Sequence, residues 1–244
     1  MSASHDNAGQ AGQAGHVYLA ASSQKKTLDV MIAHALARIG RKPTRVATTY
    51  AASGEPHAAQ MSAFLTKAFG GAEVTRFNVK GEKHAMLPSE ARPIVDAADI
   101  VFLGGGDPVH GARLLADAGA DEWIRDAHAR GTACMGMSAG AIMLCAWWAT
   151  WPDDAPPNVH HDGGTLVPCA AVVPDLVIDC HAEEDHWAEL ILVRAMLRDR
   201  LGSGASLPRF VGLPTGSGLI VGPDRSLEPV GIAPFRLPPV PPGE

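Results

Sequence analysis

The sequence predicts an α/β protein with a largely parallel sheet, and three observations carry that prediction. Short apolar runs alternate with amphipathic stretches of about ten residues, the rhythm of strand–helix–strand units. One run, Ile100-Val-Phe-Leu103, is apolar on both faces, as a central parallel strand covered by helices must be. Of the 244 residues, 46% are hydrophobic and only 19% are charged, so the chain can close one sizeable core.

Taken in order, His16 to Ser23 reads as a strand entering a polar turn. Leu28, Met31, Ile32, Leu36 and Ile39 then form one helical face, which Gly40 ends. Arg45 to Thr49 is a second strand, Ala58 to Phe69 a helix stopped by Gly70-Gly71, and Glu73 to Val79 a third strand. Pro88 to Ala98 predicts a short helix leading into the Ile100–Leu103 strand. Helices are expected over Pro108–Asp117 and Asp121–Arg130, a strand over Gly131–Gly136 and a helix over Ala139–Trp148. From Thr150 to Gly164 prolines and glycines predict a long irregular loop, of the kind that often serves a site. Leu176–Asp179 resumes the strand pattern and Asp185–Leu197 the helix. Phe210–Leu213 and Gly218–Gly222 are expected to pair as a hairpin around Pro214-Thr-Gly-Ser217. Residues 1–15 are read as a disordered tail, 16–232 as a single domain and 233–244 as a proline-rich tail.

Composition narrows the function. Twenty basic against 26 acidic residues give a formal charge of −6 with no basic run, which argues against nucleic acid or an anionic membrane as partner. No apolar segment reaches the roughly 20 residues of a spanning helix. The polar start MSASHDNAGQAGQAGH lacks the features of a signal peptide, which favours the cytoplasm. Cys134, Cys145, Cys169 and Cys180 include no CxxC pair and are expected to be reduced, buried thiols.

The sharpest motif is Gly136-Met-Ser-Ala-Gly140, a G-x-S-x-G sequence between an apolar strand and a helical segment. A tight strand-to-helix turn there lifts the serine out of the sheet and needs small neighbours. Ser138 is therefore the candidate nucleophile, and the Ala139 amide, at a helix start, a candidate donor to a negative oxygen. A second donor is expected from Gly104-Gly-Gly-Asp107, whose glycines let backbone approach a ligand and whose Asp107 can cap the next helix. Neither a dinucleotide fingerprint nor a P-loop is present.

A serine needs a base within hydrogen-bond reach. His181 follows the Val177–Cys180 run, at a strand end on the expected rim of Ser138, and His186 is the second choice. A carboxylate should then orient the imidazole. Asp153, Asp154, Glu183 and Glu184 all qualify, and the residues alone leave them open. His160-His161-Asp162 beside His181 and His186 lacks the spacing of a zinc site, so neither metal nor cofactor is expected. Trp147, Trp148 and Trp151 are read as core or interface aromatics.

Phe102-Leu-Gly-Gly-Gly-Asp107, Gly136-Met-Ser-Ala-Gly-Ala141 and Leu176-Val-Ile-Asp-Cys-His181, in this order, resemble the S51 serine peptidases, dipeptidase E and cyanophycinase, over roughly residues 16 to 222. The resemblance implies a three-layer αβα sandwich of the class I glutamine amidotransferase type. It implies Ser138 as nucleophile, His181 as base, and amides at Gly105 and Ala139 as oxyanion hole. The dipeptidase E branch carries its aspartate fifteen residues after the serine, which here is Asp153. The cyanophycinase branch takes a late glutamate, where this chain has Thr215, so that branch's triad is not expected. Gly106, Asp107 and Glu183 are expected to border the substrate, a short peptide or amide, and Arg113, Lys25 and Lys26 are the basic residues available to an acidic one. An esterase on the same fold and a catalytically silent binding scaffold are the alternatives. A homodimer is compatible with the apolar helical faces, though no residue pattern points to it.

Overall fold

A computed structural model describes residues 13–43, 45–54, 58–151, 164–202 and 205–238. At its centre stand five parallel strands: β1 (Val17–Ala20), β2 (Arg45–Thr49), β3 (Glu73–Arg76), β4 (Ile100–Leu103) and β5 (Ala133–Met137). The sheet order is β1-β5-β4-β2-β3, so the chain crosses over between strands and needs helices to do so.

Those helices cover both faces. On one side α1 (Lys25–Ile39) and α2 (Ala58–Ala68) set Leu28, Met31, Ile32 and Leu65 against Tyr18, Ile100, Phe102 and Met135. On the other lie α3 (Pro88–Asp96), α4 (Pro108–Ala118), α5 (Ala120–Ala129) and α6 (Ala139–Leu144). Their Val95, Leu115, Ile124 and Ile142 share a second core with Leu19, Val101, Leu103 and Cys134. Alternate residues of β4 thus feed two different cores, which explains why its sequence is apolar throughout. All four cysteines are buried and unpaired.

One expectation gains detail and three need correction. First, the largely parallel sheet is mixed: five of its seven strands run parallel. β10 (Ser217–Val221) pairs antiparallel with β1, and β11 (Leu227–Gly231) antiparallel with β10, adding two strands at one edge. Second, α6 stops at Leu144, and Trp147–Thr150 is a strand, β6, antiparallel to β7 (Thr165–Pro168). Aromatic and β-branched residues favour a pleated surface, and here tertiary pairing prevails over a continued helix.

Third, the expected hairpin does not form. β9 (Arg209–Leu213) joins β8 (Leu176–Cys180) in parallel and β12 (Phe235–Arg236) antiparallel, in a separate three-stranded sheet. Pro214–Gly216 therefore carries the chain from one sheet to another. Both β9 and β10 are buried almost throughout, so each completes a sheet with two covered faces rather than a half-exposed ribbon. Fourth, β8 belongs to this second sheet and not to the main one. The last helix, α7 (Ala188–Leu201), packs on β8 and β9 and begins three residues later than its periodicity suggests.

The second sheet is pinned by an aromatic stack. Trp187 lies flat on Phe235 of β12, with ring centroids 5.7 Å apart, and its indole also covers Gly212 of β9. A methyl group on Gly212 would come within 2.4 Å of that ring. Gly212→Ala is expected to destabilise the fold by roughly 1–3 kcal/mol through overpacking, read as a lower midpoint in urea unfolding.

Candidate active site

The turn after β5 is built by close approach. Ser138 takes φ 52 and ψ −120, a conformation L-residues rarely adopt, immediately before α6. A Cβ on Gly136 would lie 2.4 Å from the Gly140 carbonyl oxygen, and one on Gly140 only 2.1 Å from the Leu103 oxygen. Both glycines are thus needed for α6 to seat against the end of β4. The helix they admit is buried along its whole length, and the Ser138 amide donates to Ala20 at 2.9 Å. These contacts explain the physical content of G-x-S-x-G: the strand ends crowd the backbone, and the serine side chain is what projects outward.

His181 arrives from the second sheet. It follows β8, has φ 48, and its amide donates to the Leu213 carbonyl at 2.8 Å, so β9 fixes its backbone. Its Nε2 lies 2.9 Å from Ser138 Oγ. A thiol also bridges the two segments: Cys180 Sγ donates to the Ser138 carbonyl at 3.7 Å. Among the described residues no side chain accepts from His181 Nδ1. Two other histidines are engaged elsewhere, His34 with the Tyr18 hydroxyl at 3.0 Å and His128 with the Gly15 carbonyl at 2.8 Å.

The glycine loop stands directly beside the serine. A Cβ on Gly105 would lie 3.4 Å from Ser138 Cβ and 3.8 Å from its Oγ. Gly106 has φ +135 and no room for a side chain, since a Cβ would meet the Ala52 oxygen at 2.2 Å. Asp107 caps α4, its Oδ1 accepting from the Val109 and His110 amides at 2.8 and 3.1 Å. The amides of Gly105 and Ala139 have no acceptor among the described residues, and Ala139 is the first residue of α6, where amides are free of helix bonding.

These residues border one open cleft of about 730 Å³, lined by Gly106, Asp107, Arg113, Ser138, Ala139 and His181 among others. Trp148 is part of the core, with Trp147 and Trp151 packed against it; Trp148 and Trp151 also line the cleft, and Trp147 lies under the Arg200 guanidinium. Arg113 is in the lining, whereas Lys25 is exposed and paired with Asp29.

The acid is less direct. Asp153 and Asp154, like His160-His161-Asp162, lie outside the described residues. Glu183 is exposed, and its Oε1 accepts the Thr215 amide at 3.0 Å. Slight burial raises its carboxyl, but hydrogen bonds from Thr215 and the nearby His181 outweigh that and hold it below the usual glutamate value. Thr215, where the resemblance implied a lost glutamate, thus tethers a different carboxylate.

Two cleft residues escaped the sequence reading. Asp179 on β8 is 3% exposed, and its Oδ1 accepts the Cys180 amide at 2.8 Å. Burial, reinforced by Glu189, Asp185 and Glu183, pushes its carboxyl up to about 8. Glu189 on α7 is raised too, first by burial and then by Asp185, with the neighbouring Trp151 indole offsetting part of it. An aspartate in a strand otherwise apolar on both faces was the available signal.

With this geometry in view, the comparisons with known proteins are specific. The model of peptidase family S51 matches residues 19–190, and the chain belongs to that family. Among solved structures it is similar to a peptidase from an acI-B1 Actinobacterium, with 17% identity, a TM-score of 0.67, and coverage of 95% of this chain and 94% of that one. It is also similar to a putative peptidase E protein from Listeria monocytogenes EGD-e, at 14% identity and a TM-score of 0.57, covering 90% and 100%. At such identities these likenesses speak for the fold alone. No match emerged among curated proteins. Family membership gives hydrolysis of peptide or amide bonds as the general chemical class.

Gly140→Ala is expected to destabilise the fold by at least about 2 kcal/mol, because a backbone carbonyl, unlike a side chain, cannot rotate away; urea unfolding measures this. For Asp179 the sign follows from proton counting. The unfolded chain loses this proton near the ordinary value of 3.8, while the folded chain keeps it to about 8. Between those values rising pH favours unfolding. The Tm of Asp179→Asn minus that of the natural protein should therefore grow more positive from pH 4 to pH 8 in thermal scans.

Proposed function

We propose that the protein is a serine hydrolase that cleaves short peptides or amides through an acyl-enzyme on Ser138. The observation that carries this reading is the 2.9 Å contact between Ser138 Oγ and His181 Nε2 at an outward-facing turn. His181, with its proton on Nδ1, accepts the hydroxyl proton through Nε2 as Oγ attacks the substrate carbonyl. The tetrahedral oxygen is held by the Gly105 and Ala139 amides, each worth roughly 3 kcal/mol in the transition state. The imidazolium then protonates the leaving amine. Water attacks the acyl-enzyme with the same base, and Ser138 is regenerated.

The orienting acid is Asp153 in this reading, on the resemblance to dipeptidase E. A second assignment is favoured by one observation: Glu183, held by Thr215, lies close enough to His181 to be stabilised by it. The two differ in which substitution is damaging. The backbone supplies the other parts of the machinery, so no cofactor enters the reaction.

Incubation with a fluorophosphonate should give a single adduct on Ser138 by intact mass and peptide mapping. Ser138→Ala should lose adduct formation and lower kcat/KM on a cleaved dipeptide by at least about 10⁴-fold, with unchanged circular dichroism. Asp153→Asn should cost activity strongly while Glu183→Gln does not; the reverse outcome transfers the acid to Glu183. A folded protein that fails with two such probes is a silent scaffold.

A further inference from the structure

The glycine loop beside Ser138 is tied down on both flanks, and both ties run to one short segment at the end of β2. The Gly104 amide donates to the Thr49 carbonyl at 3.4 Å, and the Asp107 amide to the Ala52 carbonyl at 2.8 Å. Between these bonds the Tyr50 ring covers Gly104, where a Cβ would lie 3.1 Å from Cδ1, and the Ala52 carbonyl closes off Gly106. The Gly105 amide has no acceptor of its own among the described residues. Its direction is therefore inherited from Thr49–Ala52.

A carboxyl from the connection between β3 and α3 holds that segment. Glu82 Oε2 accepts from the Thr49 hydroxyl at 2.9 Å and from the Val79 amide at 2.7 Å. With its proton committed to Glu82, the Thr49 oxygen is left to accept the Ala51 amide at 3.2 Å. The relay thus runs from Glu82 through Thr49 to Ala51, next to the carbonyl that anchors Asp107. Thr49 is buried, so water does not compete for these bonds. The connection is itself firmly seated. Asn78 Nδ2 donates to the Lys83 and His84 carbonyls at 3.1 and 3.3 Å, and the Asn78 carbonyl accepts the Met86 amide at 2.9 Å. Gly81 lies so close to α4 that a Cβ would fall 2.5 Å from Leu114 Cδ2. Burial raises the Glu82 carboxyl above its ordinary value, and the Val79 amide, the Thr49 hydroxyl, Arg76 and the Tyr50 amide offset part of that. A surface loop has no need to bear such desolvation; a loop that must grip the end of β2 does.

We propose that Glu82 is a positioning residue for the oxyanion hole: by fixing Thr49 it sets the end of β2 and, through it, the direction of the Gly105 amide beside Ser138. This rests on the hydrolase reading and goes beyond it, since Glu82 is not among the residues that line the cleft. Misplacing such a donor by an ångström is enough to slow the chemical step severely.

Fluorophosphonate labelling separates the chemical step from binding, because the phosphoryl oxygen occupies the oxyanion position as Ser138 attacks. Glu82→Ala should lower the maximal labelling rate, kinact, by about ten-fold or more, while the half-saturating probe concentration changes by less than about three-fold. Glu82→Gln keeps a carbonyl oxygen for both donors and should restore kinact to within about three-fold of the natural value. Thr49→Val removes the middle of the relay, should reproduce the loss, and serves as the test if Glu82→Ala folds poorly. Tyr18→Phe is the control for lost stability: it deletes a buried hydroxyl, bonded to His34, away from the site, and should leave kinact unchanged. An unaltered kinact in folded Glu82→Ala or Thr49→Val overturns the proposal. So does a loss that Glu82→Gln fails to restore, or an equal loss in Tyr18→Phe. Each of these outcomes leaves the hydrolase reading standing, provided the natural protein is labelled on Ser138. A folded natural protein that takes no label removes that reading, and the role of Glu82 with it.

Discussion

The close seating of α6 against the end of β4 is the constraint on which the rest of the site depends. Gly140 lies where any side chain would strike the Leu103 carbonyl, and a side chain on Gly136 would strike the Gly140 carbonyl. Backbone meets backbone there, so neither partner can yield by rotating a side chain. The helix that this contact admits is buried on every side. Its position forces Ser138 into a left-handed conformation with the hydroxyl outward, places the first amide of the helix beside it, and brings the Gly104–Gly106 loop into contact. A strained residue of this kind persists only where its surroundings over-determine it. Here the determinants are the Ala20 carbonyl, the β4 end and the glycines.

The candidate base is positioned by different means. His181 hangs from a second sheet, where Leu213 fixes its backbone and the Trp187–Phe235 stack braces the strands behind it. Cys180 links the sheets at the site itself through its thiol and the Ser138 carbonyl. Complete burial pushes that thiol well above its ordinary value, so it stays protonated and remains a donor. The cleft carboxyl groups belong to this second unit as well, since Asp179 is on β8 and Glu189 on the helix that covers it. The main sheet thus presents the hydroxyl and the outward amides, and the second unit the imidazole and the carboxylates.

This division explains what was legible in the sequence. The alternation of runs identified the five parallel strands because each is a local pattern with its own covering helix. G-x-S-x-G was legible because crowding at a single turn dictates residue size over five positions. What failed was partnership between distant segments. β9 and β10 adjoin a turn sequence suited to a hairpin, yet each is buried on both faces and finds a different sheet. Trp147–Thr150 continues an apolar helical run, and only the presence of Thr165–Pro168 opposite makes it a strand. Glu183 reads as a carboxylate near His181, but its tether to Thr215, 32 residues away, is a fact of tertiary structure alone. Asp179 stands inside a strand pattern, where a lone polar residue reads as an interruption.

The placement of Ser138 and His181 on separate hydrogen-bonded sheets has a mechanical consequence. Two ladders that share no strand can shear past each other by an ångström or so while every rung stays intact. Such a displacement would lengthen the 2.9 Å hydroxyl–imidazole contact beyond usefulness and leave secondary structure untouched. The reactivity proposed for Ser138 therefore hangs on a contact that neither ladder holds in place, and it should fade under mild denaturant or pressure before the backbone registers any loss of order.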